Sequence, residues 1–301
     1  MKKVLIGLGL LSTLAMGMGE NYPTEKLISG NSAKKILEND KNVVLIDVRP
    51  KVKFMMNNVK GSYNMWREDM QPQDNRYGEV TGMRASREEM EAKLNKMGVN
   101  ENTTLLLTGN GLDEYRLWWI LDLYGFENIK IVDGGYEALK ESGVKTTFGG
   151  GASEKKGNYK FPKISDKDTL ANIDEVKNNI NNNHVAILDT RSDKEFLGED
   201  LKKGAFVKGR IPNSIHIEWT DVAEKNLRLK PISEIKEMYE KCGITPDKEI
   251  IPYCQSAVRS AHTTFVLKEI LKYPNVKNYD GSWIEWSFEA KNKKVDVITG
   301  E

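Results

Sequence analysis

A set of short motifs occurs twice along this chain, in the same order, and that duplication constrains the fold more than any other feature. Leu45-Ile46-Asp47-Val48-Arg49 returns as Ile187-Leu188-Asp189-Thr190-Arg191. Gly61 to Trp66 is echoed by Pro212 to Trp219. A strand-like run follows in each half, Thr104 to Thr108 and Glu249 to Tyr253. Each leads into a helical pattern, around Arg116 to Tyr124 and around Ser260 to Leu271. Each half then closes on an Asp-Gly turn, Val132-Asp133-Gly134-Gly135-Tyr136 and Tyr279-Asp280-Gly281-Ser282-Trp283. Matching order across two halves means one domain duplicated, and 301 residues suffice for two domains of ordinary size.

Within each half, short apolar strands alternate with helical patterns. Asn172 to Ile180 sets Ile173, Val176 and Ile180 on one face, ahead of the strand His184 to Leu188. Ser233 to Cys242 reads as another helix, with Ser233 as N-cap and Gly243 as its stop. Such alternation predicts an α/β fold, two tandem domains each with a mostly parallel sheet flanked by helices. Gly149 to Gly157 is Gly-rich and charged, the composition of a linker. The expected division is 20–148 for the first domain, 149–165 for the linker and 166–301 for the second.

Residues 1–19 differ in kind. Lys2 and Lys3 precede an almost wholly apolar run from Val4 to Met18, and small residues stand at Ala15, Gly17 and Gly19. The run is short for a membrane span, and the pattern is that of a cleaved secretory signal. The mature protein is then expected to be exported, periplasmic, and without stable membrane insertion. A net charge of +1, with no basic stripe interleaved with aromatics, argues against nucleic acid as a partner. Two cysteines, Cys242 and Cys254, are too few for a disulfide framework.

Cys254 is the focus of the chemistry. It falls where the run Glu249 to Tyr253 ends, before small and polar residues and an amphipathic helix reading from Thr263 to Leu271. Unpaired backbone N–H groups converge at such a strand-to-helix turn, which favours a thiolate and cradles a small anion. A buried, inert cysteine is the competing reading. Cys242, near a helix end, reads as a small core residue.

The ordered set Asp189-Thr190-Arg191, Glu195-Phe196, Gly209-Arg210-Ile211-Pro212, Cys254 to Arg259 and Asp280 to Trp286 resembles the rhodanese, or sulfurtransferase, family in its tandem-domain form. The resemblance covers nearly everything after residue 19. It implies two rhodanese-like domains, the second catalytic, the first without the cysteine, and an active site in the cleft between them. The first half offers Thr108-Gly109-Asn110-Gly111-Leu112 at the corresponding place, with no thiol.

The implied reaction moves sulfane sulfur from a small anionic donor, thiosulfate or 3-mercaptopyruvate, to a thiol, cyanide or protein acceptor. A persulfide on Cys254 would be the covalent intermediate. Gln255, Ser256, Ala257, Val258 and Arg259 would surround its outer sulfur, and Arg210, with Lys208, would supply positive charge at the mouth. No metal or organic cofactor is required, and no motif for one appears. Related phosphatases and arsenate reductases place five residues between Cys and Arg, whereas four separate Cys254 from Arg259, a smaller cradle that suits one sulfur atom.

Several positions depart from the family pattern. Ala257 stands where the family often has Gly, which matters if the position needs positive φ. Gln255 and Ser256 replace the basic pair frequent in thiosulfate-preferring loops. Ser256 and Val258 match the mercaptopyruvate type, while Gln255, Ala257 and Arg259 do not, so both donors stay open. Arg210 replaces a His. Arg259 either binds donor or braces the loop through Glu195. Pro252 is unusual in a strand expected to be buried. The alternative to an enzyme is a sulfane-sulfur or polysulfide carrier that binds sulfur and delivers it to a respiratory partner.

Overall fold

A computed structural model describes residues 22–163 and 168–300. The segment read as a signal, residues 1–19, lies outside them. The first half contains β1 (Leu27–Ile28), α1 (Gly30–Asn39), β2 (Val43–Asp47), α2 (Lys51–Met56), β3 (Asn58–Val59) and β4 (Tyr63–Asn64). It continues with α3 (Arg87–Lys96), β5 (Thr104–Thr108), α4 (Asp113–Leu123), β6 (Ile129–Val132), α5 (Gly135–Glu141) and β7 (Thr146–Thr147). The second half contains β8 (Leu170–Ala171), α6 (Ile173–Asn179), β9 (Val185–Asp189), α7 (Asp193–Phe196) and β10 (Ile215–His216). It closes with α8 (Ile232–Lys241), β11 (Glu249–Tyr253), α9 (Arg259–Phe265), β12 (Asn278–Tyr279) and α10 (Ser282–Lys291).

The duplication is carried by the sheets. In the first half the strand order is β1-β6-β5-β2-β4, all parallel. In the second, β10-β9-β11 and β12-β8 are parallel ladders joined by a bridge from Ile250 to Val276, giving β8-β12-β11-β9-β10. The two orders correspond strand for strand. Asp47 pairs with Thr108 as Asp189 pairs with Tyr253, so Gly109 is the counterpart of Cys254.

That bridge also accounts for Pro252. In a parallel ladder, alternate residues direct both N–H and C=O to the same neighbouring strand. Ile250 bonds toward the β12 side, receiving from Lys277 at 3.0 Å and donating to Asn275 at 2.9 Å. Pro252, two residues on, faces the same side and has no N–H to give, so the contact with that strand stays a single bridge.

Some boundaries differ from the sequence reading. Pro231, not Ser233, is the N-cap of α8, while Gly243 does follow its end at φ +76°. Cys242 is exposed rather than part of the core, because it lies at the solvent-facing C-terminal cap of α8. Helix α9 begins at Arg259 and passes into a π-type turn over Val266–Ile270. It is buried on all sides instead of being amphipathic, since α4 of the first half packs against it. The two halves share apolar interior there: Ala261, Phe265 and Ile270 join Trp118, Trp119 and Leu121 in one cluster.

The Gly-rich connector does not run free. Ala152 donates to Ser62 O at 2.8 Å and Lys155 to Lys96 O at 2.8 Å, while Tyr159 and Phe161 are buried in the first half's core. Among the described residues no helix is long and apolar enough to cross a membrane.

Candidate active site

Cys254 leaves the end of β11, and the chain turns through Gln255–Val258 before α9 starts at Arg259. One hydroxyl organises this turn. Ser282 Oγ accepts from the N–H of Cys254 at 3.2 Å and of Ala257 at 3.1 Å, and donates to Tyr279 O at 2.7 Å. Trp283 and Ile284 N–H donate to the carbonyls of Cys254 (2.9 Å) and Gln255 (3.1 Å). Gln255 also donates its side-chain amide to Lys203 O at 3.3 Å. Ala257 has φ +54°, the left-handed region. A side chain there costs about 1–2 kcal/mol relative to the right-handed region. The loop therefore holds strain that its surrounding hydrogen bonds maintain.

The Cys254 thiol is buried, 1% exposed. Burial pushes its pKa up, but the Arg259 charge, the Ser260 and Ser256 amides and the Ser260 hydroxyl outweigh that and hold it below the ordinary thiol value. Ser260 Oγ lies 3.6 Å from Sγ. Arg259 is itself held in a fork, donating to Glu195 Oε2 at 2.7 Å and Oε1 at 2.8 Å. Glu195, at the start of α7, also accepts from Ser192 Oγ at 3.0 Å. Burial would raise its pKa, yet Arg259 and Ser192 bring the carboxyl down to about 2. Arg259 thus keeps its charge beside the thiol while its fork is committed to bracing.

The Arg210 guanidinium lies 4.4 Å over the Phe196 ring and donates to the carbonyls of Phe196 and Gly300, which ties it to the C-terminal tail. Lys208 donates to Glu199 O at 2.8 Å. Asp189 and Arg191 form a buried pair, with Arg191 reaching Gly209 O at 2.8 Å and Tyr253 donating to Asp189 at 2.6 Å. Asp47 and Arg49 repeat the ion pair in the first half, where Arg49 lies over the Tyr136 ring as Arg191 lies over Trp283. His262 is wedged between the Tyr115 and Trp219 rings, and burial lowers its pKa to about 3. A neutral imidazole so held is packing, not a general base. Among the described residues no cluster of His, Cys, Asp and Glu is arranged to hold a metal.

The first half lies directly on the loop. A Cβ added at Gly82 would come within 2.7 Å of Ser256 Cβ. Arg116, on α4 and 2% exposed, donates to Asp280 at 2.7 Å, to Gly82 O at 3.0 Å and to Ala257 O at 3.4 Å. Arg84 adds a second bond to Asp280 at 2.9 Å. Burial would raise the Asp280 carboxyl, but Arg116 and Arg84 together hold it below its usual range. The turn that carries Ser282 is therefore clamped by two arginines of the other domain.

The exchange is reciprocal. Leu227 of the second half lies on Gly111, Arg228 on Gly134, and Leu229 N–H donates to Asp133 at 3.3 Å. The loop covered there is the first half's counterpart of the Cys254 loop. Glu114, at the position of Arg259, turns its carboxyl into that loop and accepts from Gly111 and Leu112 N–H, both at 3.0 Å. A Cβ at Gly109 would meet Glu114 Oε2 at 2.7 Å and Val48 Cγ2 at 2.5 Å. The first half lacks both the thiol and the room for one.

The sequence reading named the loop and, as one of two readings, its Arg259–Glu195 brace, but not the other supports. Ser282 sits inside a recognised motif without a role assigned from it. Ser260, Arg116 and Gly82 carry no local signal, because their importance arises only when the halves meet.

The rhodanese-like domain family model matches residues 29–142 and 172–289. The sulfur carrier protein TtuD of Thermus thermophilus is 31% identical over 284 residues, covering 89% of this chain and 95% of that protein. The thiosulfate sulfurtransferase of Corynebacterium glutamicum is 28% identical over 220 residues, 69% of this chain and 70% of that one. Among solved structures, the anaerobic ergothioneine biosynthesis enzyme of Chlorobium limicola, in complex with trimethyl histidine, aligns with a TM-score of 0.77 at 20% identity, over 92% of this chain and 70% of that one. At that identity it reports on the fold alone.

Proposed function

The chain belongs to the rhodanese-like family, with two such domains in tandem, and from that premise we propose that it transfers sulfane sulfur through a persulfide on Cys254. The donor is a small anion, thiosulfate or 3-mercaptopyruvate, and the acceptor a thiol, cyanide or protein sulfur. The observation that carries the reading is the electrostatic setting of one thiol: Arg259 and two loop amides lower the pKa of a buried sulfur.

The chemistry follows in two steps. The Cys254 thiolate attacks the outer sulfur of the donor, a Cys–S–S bond forms, and the electron pair of the broken bond leaves with the donor remnant. The remnant is sulfite from thiosulfate or pyruvate, after protonation, from 3-mercaptopyruvate. An acceptor nucleophile then attacks the outer sulfur and returns an electron pair to Cys254. Division into two displacements makes each easier than direct transfer. Loop amides fixed in place beforehand stabilise the negative sulfur without reorganising.

Incubation with donor and no acceptor should leave the protein one sulfur atom heavier, on the Cys254 peptide, with cyanide reversing the gain. No gain from any sulfane donor would overturn the proposal. A carrier role is the second reading, favoured by the name of the Thermus relative and by burial of Cys254 beneath the first domain. Repeated turnover with cyanide or a small thiol distinguishes the two, since a carrier loads once and waits for its protein partner. Residues 1–19 direct export, so the mature periplasmic chain begins shortly after Gly17 or Gly19. Intact Met1 in the membrane fraction would overturn that part.

A further inference from the structure

Among the described residues, four of the seven exposed large apolar side chains occur on one face of the first domain: Val52 (71% exposed), Met55 (43%), Met56 (62%) and Phe148 (81%). Helix α2 creates this face by its spacing. Val52, Met55 and Met56 stand at i, i+3 and i+4, while Phe54 turns inward and is buried. The β3–β7 ladder brings the second segment alongside, pairing Asn58 with Thr147 and Val59 with Thr146. Gly149 N–H donates to Met55 O at 2.9 Å, which sets Phe148 beside the end of α2. The charged side chains that these two segments expose are of one sign. Lys51, Lys53, Lys60 and Lys145 are all exposed, and no Asp or Glu occurs in 48–67 or 142–153. Lys60 N–H donates to Lys145 O at 2.9 Å, so the two segments contribute lysines side by side.

We propose that this face docks peripherally on an anionic lipid surface, with Met55, Met56 and Phe148 entering the headgroup boundary and the four lysines meeting lipid phosphates. Exposed apolar area ringed by lysine is the combination that gives interfacial binding, each component being weak alone. Lysine ammoniums are point charges without the fork geometry that reads one matched carboxylate, which suits a diffuse anionic plane. A second copy of this chain would set four lysines against four and is disfavoured by the same charges. The Cys254 loop lies at the domain boundary and not on this face, so docking leaves the transfer site free to work.

The test is hydrogen–deuterium exchange on the full chain with vesicles of phosphatidylglycerol and phosphatidylethanolamine, against phosphatidylcholine alone. The local readout separates this face from any contribution of residues 1–19. Slower exchange confined to peptides spanning 51–60 and 145–149, with the anionic vesicles only, is the expected result. The combined change Lys51→Glu, Lys53→Glu and Lys60→Glu should weaken this vesicle association by more than about tenfold, each lysine near an anionic surface being worth about fivefold. Met56→Ser with Phe148→Ser should also weaken it, and sulfur transfer to cyanide should be unchanged in both variants. Vesicle association with unaltered exchange at 51–60 would overturn the proposal. So would protection of these peptides that rises with protein concentration without lipid, or that appears only with an acidic protein partner.

Discussion

Arg259 grips Glu195 through both arms of its guanidinium, at 2.7 and 2.8 Å, and so stands beside the thiol as a fixed charge. Removing that charge leaves only the Ser256 and Ser260 amides and the Ser260 hydroxyl to oppose burial. In Arg259→Met the Cys254 alkylation rate should inflect at higher pH than in the wild type. Because an unpaired buried Glu195 would destabilise the fold, Arg259→Met combined with Glu195→Gln is the cleaner variant. An unmoved inflection would show that the loop amides alone set the thiolate.

Cys254→Ser should abolish sulfur transfer with the fold intact, since serine is nearly isosteric but a far poorer nucleophile toward sulfur. Cys242→Ser should retain most activity, its side chain being exposed at the end of α8. Rates and melting curves on both variants check this, and equal loss in the two would refute a single nucleophile.

Arg116 ties Asp280, Gly82 and Ala257 together from the other domain. Arg116→Met breaks a buried ion pair, which costs about 3–5 kcal/mol. The kcat for cyanide should fall at least about tenfold while the Cys254 loop loses its register. Arg116→Lys should recover part of the stability and less of the rate, because a point charge cannot serve three acceptors. Equal recovery of both would reduce Arg116 to a purely structural tie.

Two residues with positive φ make opposite predictions. Ala257→Gly relieves the strain at φ +54° and should raise stability by about 0.5–1 kcal/mol after the unfolded-state entropy of glycine is subtracted. Ser282→Gly relieves φ +48° but strips the acceptor from two buried amides, a loss of about 1–3 kcal/mol. Denaturant midpoints of the two variants should move in opposite directions.

Two buried groups bend the pH dependence of stability in opposite directions. Burial raises Glu114 from 4.5 to about 8, so the native state holds its proton more tightly. Its contribution is complete below pH 4.5 and is lost as pH rises through 8. Burial lowers His262 from 6.5 to about 3, so its contribution is complete above 6.5 and is lost as pH falls toward 3. Glu114→Gln should flatten the alkaline decline without touching the acid one. Melting temperatures at pH 4, 6 and 8 give the answer, and an unchanged decline would mean that Glu114 is ionised in the native state.

Local pattern is enough for β5, β9 and β11, the duplication and the Cys254 turn, because period and turn chemistry are written over a few residues, while two-residue strands such as β1, β3, β7, β8 and β12 are too short to carry a period. Helix α9 was placed with the wrong exposure, since nothing near Phe265 announces that Trp118 lies 4.8 Å away. The motif position of Arg210 suggests charge at the cleft mouth, while its contact with the tail at Gly300 arises only in the folded chain. Residue type points Cys242 to the core, but its place at the C-terminal cap of α8 exposes it. The pairing of Arg259 with Glu195 was readable as one of two options, as opposite charges with room to meet.

Gly82 over Ser256, and Leu227 over Gly111, mean that each half wears a piece of the other. A second domain expressed by itself would leave its activated sulfur open to every passing oxidant and disulfide, since a low-pKa thiol is the form that reacts. The half without a nucleophile is therefore a shield, and its deletion should convert a selective transfer site into one that is quickly spent by oxidation.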